Sequence, residues 1–275
     1  MAVSTGAIFA RLADAPPLVT AAYRVGLATV LIAPLALARA GSELGRLRRG
    51  QWLLTALAGL FLALHFATWI SSLFYTSVAN SVVLVNTNPL WVALLTPLVT
   101  GERIGPLTAA GILISVAGAV IIGATDFHLG GQALWGDALA LAGSVCAAIY
   151  LVLGRILRRH LSLLAYIALC YGSAAVFLFA TVIALDLPLT GFGTRTWAAL
   201  IAIAVVPQLI GHTSYNWALK WFTPAMVAVS LLGEPIGATI LAWIFFTETV
   251  SAQTLLGGSL ILGAIFLAAR GEKKG

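Results

Sequence analysis

The chain has 275 residues, of which 61% are hydrophobic and only 9% are charged, and its mean hydropathy is +1.03. A soluble domain carries about 25% charged residues. The composition therefore excludes a soluble domain and predicts an integral membrane protein. The net charge of +6 does not indicate nucleic-acid binding, because most of the basic residues lie in short loops between apolar runs.

Ten apolar segments follow one another along the chain, and each is predicted to form a transmembrane helix. They cover residues 2–13, 18–38, 52–73, 79–99, 107–122, 134–156, 164–185, 197–219, 225–246 and 255–269. At 1.5 Å per residue the first reaches only about 18 Å, short of a hydrocarbon core of about 30 Å. Either this first helix is N-terminally shortened or it does not span. We expect the former, and so an all-α integral membrane protein with ten transmembrane helices.

The basic residues predict the orientation of these spans. Twelve of the 15 lysines and arginines lie in alternate loops or in the C-terminal tail, at Arg39, Arg46, Arg48, Arg49, Arg103, Arg155, Arg158, Arg159, Lys220, Arg270, Lys273 and Lys274. Loops rich in Lys and Arg face the cytoplasm. Both termini are therefore predicted to be cytoplasmic.

The two halves of the chain are related in sequence. The run HFATWISSLFYTSVANSVVLVNTNPLW from residue 65 resembles the run HTSYNWALKWFTPAMVAVSLLGEPIGA from residue 212. The matching pairs are His65 with His212, Thr76 with Thr223, Pro89 with Pro235, Glu102 with Glu248 and Gly111 with Gly257. Each half holds five predicted helices, so the second half, 126–275, must enter the membrane inverted relative to the first, 1–125. Inverted repeats are typical of secondary transporters, whose binding site lies near the membrane midplane.

A polar residue followed by proline lies in the middle of a span in both halves, at Asn88-Pro89 and at Glu234-Pro235. Proline bends a helix and frees a carbonyl, which is tolerated where a cavity or a neighbouring helix satisfies the backbone. An ionisable residue inside the membrane is a functional candidate by default. Glu234 is therefore predicted to face a cavity and to contact a substrate or carry a proton. The alternative is a hydrogen-bonded carboxyl group that holds its helix against a neighbour.

Polar and aromatic faces on other spans supply further cavity candidates. In the eighth span, Gln208, His212, Tyr215 and Asn216 share one face at spacings of three and four residues. Unpaired polar groups do not belong in lipid, so this face lines either a cavity or an interhelical hydrogen-bond seam. The aromatic candidates either stack an aromatic or cationic substrate or pack as ordinary helix contacts. The remaining candidates are His65, Trp69, Asn86, Asn88, Trp91 and Tyr150.

Two further features have alternative interpretations. Arg24, near the outer end of the second span, either snorkels to the outer surface or acts as a carboxylate-binding cation at the cavity mouth. The fifth span carries a small residue at every fourth position, which predicts a helix-packing face within the monomer or in a weak homodimer. Its members are Gly111, Ser115, Ala119 and Gly123.

The sequence has no GxxxxGK[ST], HExxH or CxxC motif, so we expect no direct use of ATP, no metal and no cofactor. Few basic residues lie inside the spans, which favours a substrate with little net charge, such as a zwitterion. An intramembrane enzyme that uses Glu234 and His212 as acid and base is the alternative class. The inverted repeat favours transport, because an enzyme has no need for two exchangeable conformations.

Several of these stretches resemble the drug/metabolite transporter superfamily, EamA type. They are PLVTAAYR at 17–24, GHTSYNWALKWFTPAMVAVSLLGEPIGA at 211–238, and the turns TGER at 100–103 and TET at 247–249. The resemblance implies that spans 1–4 and 6–9 surround a central cavity and that spans 5 and 10 lie at the periphery. It also implies a multi-pass protein of a bacterial-type inner membrane, not an enzyme, whose partners are a small-molecule substrate and the lipid bilayer.

Within that superfamily the chain resembles amino-acid exporters of the YddG type. This likeness implies export of aromatic and neutral amino acids, and of some cationic toxicants, by alternating access. A drug, a nucleotide sugar or a sugar phosphate is the alternative substrate.

Overall fold

A computed structural model of the chain is all-helical over the residues it describes, which are 2–100, 105–127, 131–231 and 233–271. A 3-10 turn at Val3–Thr5 leads into the first α-helix. The elements are α1 (Gly6–Leu12), α2 (Pro17–Leu44), α3 (Arg49–Ser72), α4 (Val78–Val85), α5 (Asn88–Thr100), α6 (Pro106–Phe127), α7 (Gly131–Arg158), α8 (Leu163–Ala184), α9 (Thr194–Ile203), a π-helical segment (Ala204–His212), α10 (Thr213–Ala218), α11 (Pro224–Ser230), α12 (Gly233–Phe246) and α13 (Ala252–Gly271). Glu102, Arg103, Lys273 and Lys274 lie outside the described residues.

Within the described residues, six helical stretches are long and apolar enough to cross a bilayer. They are Pro17–Leu44, Arg49–Ser72, Val78–Leu95, Gly131–Arg158, Leu163–Ala184 and Thr194–Ala218. Shorter apolar helices lie at Val3–Leu12, Ala109–Gly118, Glu234–Phe246 and Ala252–Ala268. The protein is therefore a multi-pass membrane protein. The helices coincide with the predicted spans, whereas the count of ten crossings and the cytoplasmic position of both termini stay predictions.

Two predicted spans are each divided into two half-helices. The fourth is interrupted between α4 and α5, and the ninth between α11 and α12. Pro89 and Pro235 lie in the first turn of α5 and α12, where the missing N–H of proline costs no intrahelical hydrogen bond. The sequence predicted a bend at each proline, and in the structure one α-helix ends and the next begins shortly before each of them.

The eighth span is continuous but changes its helical form. Its middle, Ala204–His212, is π-helical and contains Pro207. A π-helical segment shifts the register of the side chains that follow it, and such segments are frequent at functional sites. The regular spacing that the sequence predicted for Gln208 and Asn216 therefore does not describe their relative directions.

Helix α3 packs between α7 and α8. A Cβ atom at Gly59 of α3 would lie 2.7 Å from the carbonyl oxygen of Cys170 in α8, which is closer than real Cβ atoms approach. A Cβ atom at Gly143 of α7 would lie 3.3 Å from Cβ of Trp69 in α3. These two glycines let the three helices approach closely and so position the cavity-facing side of α3.

Helix α6 packs along α13. A Cβ atom at Gly111 would lie 2.6 Å from the carbonyl oxygen of Ala264. This part of the predicted small-residue face is therefore a contact within the chain. The packing of Ala119 and Gly123 lies outside the described side chains.

Candidate functional site

A small cavity of about 30 Å³ lies where the two broken spans meet. This volume holds about two water molecules, so the cavity is narrow in this structure. Eight of the 11 side chains predicted to bind substrate line it. The lining consists of His65, Trp69, Val85, Asn86, Asn88, Ala147, Tyr150, Leu151, His212, Tyr215, Leu231 and Glu234.

A hydrogen bond joins the two broken spans across this cavity. The side chain of Asn86, at the end of α4, bonds with the carboxylate of Glu234 in the first turn of α12. The amide of Asn86 also donates to the carbonyl of Val82 at 2.9 Å, which orients it. The N-terminal turn of a helix stabilises a negative charge, so α12 favours the carboxylate at this position. Glu234 therefore faces the cavity and also holds its helix against a neighbour.

The two histidines that the sequence repeat pairs meet at the cavity. The ring centroids of His65 and His212 are 6.2 Å apart. Nδ1 of His65 lies 2.9 Å from the carbonyl oxygen of Gly143, so this nitrogen carries the proton. The ring of His65 also stacks on Trp69, with centroids 6.0 Å apart and an interplanar angle of 3°. Among the described residues, no three His, Cys, Asp or Glu side chains form a group that could hold a metal ion.

Asn216 lies behind the cavity wall and organises a chain of buried hydrogen bonds. The hydroxyl of Tyr150 donates to Oδ1 of Asn216 at 2.6 Å, and Nδ2 of Asn216 donates to the hydroxyl of Tyr171 at 3.0 Å. The Tyr171 hydroxyl lies 3.2 Å from Oγ1 of Thr213. These bonds connect α7, α8 and α10 and fix the position of Tyr150, which faces the cavity.

Arg24 lies inside the helix bundle instead of at an outer mouth. Its side chain is 1% exposed, and its Nε donates to Oε1 of Gln208 at 2.8 Å. The guanidinium lies over the ring of Phe66, 3.9 Å from the ring centroid, which is a cation–π contact. Gln208 is fully buried against Arg24 and does not line the cavity.

Trp91 lines a different space from the one the sequence predicted. It faces an apolar crevice of about 800 Å³ between α4, α5, α6 and α7. Its indole Nε1 donates to Oγ1 of Thr87 at 3.3 Å, and Thr87 lies 2.8 Å from Oγ of Ser144. The break after α4 thus directs Asn86 and Asn88 to the central cavity and Thr87 to the crevice.

An ion pair joins three distant parts of the chain at one end of the bundle. Arg11 at the end of α1 donates to the carboxylate of Glu248, in the connection between α12 and α13. Arg11 Nε also donates to the carbonyl of Leu73 at 2.8 Å, and Glu248 Oε2 accepts from the backbone N–H of Val78 at 2.9 Å. The pair therefore links α1, the connection between α3 and α4, and the connection after α12.

A model of the EamA-like transporter family matches residues 1–124 and 134–270 of the chain. The chain belongs to this family. It is 30% identical over 263 residues to an uncharacterized transporter of Archaeoglobus fulgidus, covering 93% of this chain and 89% of that protein. It is 26% identical over 255 residues to the pseudopaline exporter CntI of Pseudomonas aeruginosa, covering 91% and 85%. A solved structure, 23% identical, shares the fold with a TM-score of 0.71 over 97% of this chain and 92% of that chain.

The matches confirm the EamA-type likeness drawn from the sequence. In this EamA-family chain the sequence pointed to most of the cavity wall but missed Phe66 beneath Arg24 and Tyr171 behind Asn216. Both are aromatic residues inside long apolar runs, where nothing in the pattern separates a polar contact from ordinary packing. It also missed the pairing of Arg11 with Glu248. The signal that could have indicated this pairing was Arg11 itself, a basic residue at the predicted membrane face whose other loops are poor in Lys and Arg.

Proposed function

We propose that this EamA-family protein is a secondary transporter that exports small metabolites, most simply aromatic and neutral amino acids and some cationic toxicants. The observation that carries the proposal is the cavity itself, where the Glu234 carboxylate lies among the rings of Trp69, His65 and Tyr215. A carboxylate suits an ammonium group, and aromatic faces suit an aromatic or cationic portion of a substrate. The relative named as a pseudopaline exporter supports export as the direction of transport.

Alternating access through two inverted halves, 1–125 and 126–275, is part of the same proposal. His65 and His212 are equivalent in the sequence repeat, and their rings meet at the cavity. Asn88 and Glu234 are equivalent as well, and each lies in the first turn of a half-helix at this cavity. Half-helices that meet near the midplane are the arrangement found in transporters built from inverted repeats. In this proposal both termini face the cytoplasm of a bacterial-type cell, and the protein lies in the inner membrane.

The narrow cavity fits one stage of such a cycle. At about 30 Å³ it is too small for an amino acid, so a substrate-loaded state must be wider. Its lining contains no Lys or Arg among the described residues. A sugar phosphate or nucleotide sugar needs several cations around its phosphate groups, so the cavity favours a substrate without phosphate.

Uptake of labelled amino acids into proteoliposomes tests the proposal. Wild-type protein is compared with Glu234→Gln, and with Asp14→Asn as a control because Asp14 is an exposed acidic residue. We expect saturable uptake by the wild type and by the control. Uptake by Glu234→Gln should be weaker by about tenfold or more, as expected when a charged hydrogen-bonding group is lost.

The same assay with and without a pH gradient separates two roles for Glu234. Uptake that follows the gradient and disappears in Glu234→Gln assigns proton transfer to this carboxylate. Uptake that needs no gradient and survives the substitution makes the protein a facilitative exporter with a structural Glu234. Absence of amino-acid uptake by the wild type rules out the proposed substrate class.

A further inference from the structure

Three buried hydrogen-bond donors without an acceptor belong to side chains that contact one another beside the cavity. They are Nη1 of Arg24, Nε2 of Gln208 and Nε1 of Trp69, and none has a hydrogen-bond partner in the part of the chain that the structure describes. The three side chains are 1%, 0% and 3% exposed. A buried donor without an acceptor destabilises the folded state, so three such donors on side chains in mutual contact indicate that a ligand binds here.

All three groups lack the same kind of partner. Arginine and tryptophan side chains only donate hydrogen bonds. Because Arg24 can only donate, the atom of Gln208 that faces its Nε must be the amide oxygen. The amide nitrogen of Gln208 is then left as a further donor. The missing group is therefore an acceptor.

Gly6 of α1 lies against the unpaired end of Arg24. A Cβ atom at Gly6 of α1 would lie 3.4 Å from Arg24 Nη1, 3.3 Å from Cη2 of Trp69 and 3.5 Å from Cβ of Pro207. Glycine at position 6 thus keeps a side chain out of the space between α1, the π-helical segment and the donors. The π-helical segment supplies Gln208, which lies one residue after Pro207.

The positive charge of Arg24 indicates which kind of acceptor would bind to these donors. Arg24 is a buried cation, and Glu234 attracts it electrostatically, yet the two form no ion pair in the described part of the chain. Glu234 instead bonds with Asn86. A single buried cation with two neutral donors matches one negative charge, whereas a phosphate group requires more cations.

We propose that Arg24, Gln208 and Trp69 form a carboxylate-binding subsite, which holds the carboxylate of a dipolar substrate whose ammonium group contacts Glu234. This inference rests on the proposed transport function and narrows its substrate class to compounds that carry both groups. Trp69 belongs to the cavity lining and also lies under Arg24, with 5.6 Å between the guanidinium carbon and the ring centroid. A shift of the Trp69 ring from its stack on His65 would open the donors to the cavity.

Binding to the purified full-length protein in nanodiscs tests the subsite. The probes are tryptophan, tryptamine, which lacks the carboxylate, and indole-3-propionate, which lacks the ammonium group. The wild type should bind tryptophan about tenfold to hundredfold more tightly than either analogue, the range expected for one charge-assisted contact. Arg24→Gln should weaken tryptophan to the level of tryptamine and leave tryptamine unchanged. Glu234→Gln should weaken tryptophan to the level of indole-3-propionate.

Two further variants separate recognition from folding. Arg24→Lys retains the cation and should keep most of the preference for tryptophan over tryptamine. Gln208→Leu removes the amide at similar volume and should reduce that preference several-fold. If Arg24→Gln does not yield folded protein, Arg24→Lys and Gln208→Leu still test the subsite. Arg195→Gln, at an exposed arginine, should bind all three probes as the wild type does.

The outcomes distinguish this inference from the function on which it rests. If the wild type binds none of the probes, the proposed amino-acid function fails and the subsite fails with it. If the wild type binds tryptophan but folded Arg24 and Gln208 variants lose tryptophan and tryptamine equally, the transport proposal stands and the carboxylate subsite is overturned.

Discussion

Replacement of Glu248 by Gln tests how the ends of the helices are held together. The carboxylate of Glu248 accepts from Arg11 through one oxygen and from the backbone N–H of Val78 through the other. Glutamine has one oxygen, so the substitution removes the charge and turns an NH₂ group towards a donor. The connection between α3 and α4 and the connection after α12 then lose their shared anchor.

The exposure of the pair sets the size of the effect. The side chains of Arg11 and Glu248 are 26% and 19% exposed. The pair therefore lies between a surface ion pair, worth up to about 1 kcal/mol, and a buried one, whose disruption costs about 3–5 kcal/mol. We expect Glu248→Gln to lower the free energy of unfolding by about 1–2 kcal/mol, which lowers the melting temperature by about 2–6 °C in a chain of this size.

A double-mutant cycle in detergent measures the coupling directly. Thermal unfolding is recorded for Arg11→Gln, Glu248→Gln and the double variant, with Arg195→Gln as the exposed control. The double variant should be less destabilised than the sum of the single variants by about 1–2 kcal/mol, because each single variant already breaks the same contact. Additive effects within about 0.3 kcal/mol would refute the reasoning, since they would mean that the two residues act independently.

Two further predictions concern packing and the buried hydrogen-bond chain. Gly59→Ala forces a Cβ atom against the backbone of α8 and should cost about 1–3 kcal/mol in thermal unfolding. Gly50→Ala in the same helix meets nothing within 4 Å and should be neutral or stabilising, so equal destabilisation would contradict the packing argument. Tyr150→Phe leaves Oδ1 of the buried Asn216 without its donor and should cost about 1–3 kcal/mol. Tyr75→Phe, at an exposed tyrosine, is its control and should unfold as the wild type does.

Local sequence was enough to predict the helical segments and most of the cavity wall. Long apolar runs in a bilayer can only satisfy their backbone as helices, and polar residues inside such runs must turn away from lipid. His65, Asn86 and Glu234 could therefore be predicted to face inwards, and each lines the cavity. The internal repeat also predicted the pairing of His65 with His212, because equivalent positions in two related halves can be identified from the amino-acid sequence alone.

The space that each side chain of a broken span faces could not be predicted in the same way. Trp91 was expected beside Asn88 at the cavity, yet it faces the apolar crevice. Both residues lie in α5, so the packing of this half-helix against its neighbours decided which space each of them lines. The π-helical segment shifts the register between Gln208 and Asn216, which both lie behind the cavity wall.

The sequence by itself determined that the chain is helical, membrane-embedded and built around polar residues within its apolar runs, because composition and helical period are local properties. Only the tertiary structure decided which of those polar groups meet. Arg24 meets Gln208 across 184 positions of the chain, and Arg11 meets Glu248 across 237. Such contacts depend on how helices pack and where they break, and that packing depends on the shapes of all neighbouring side chains together.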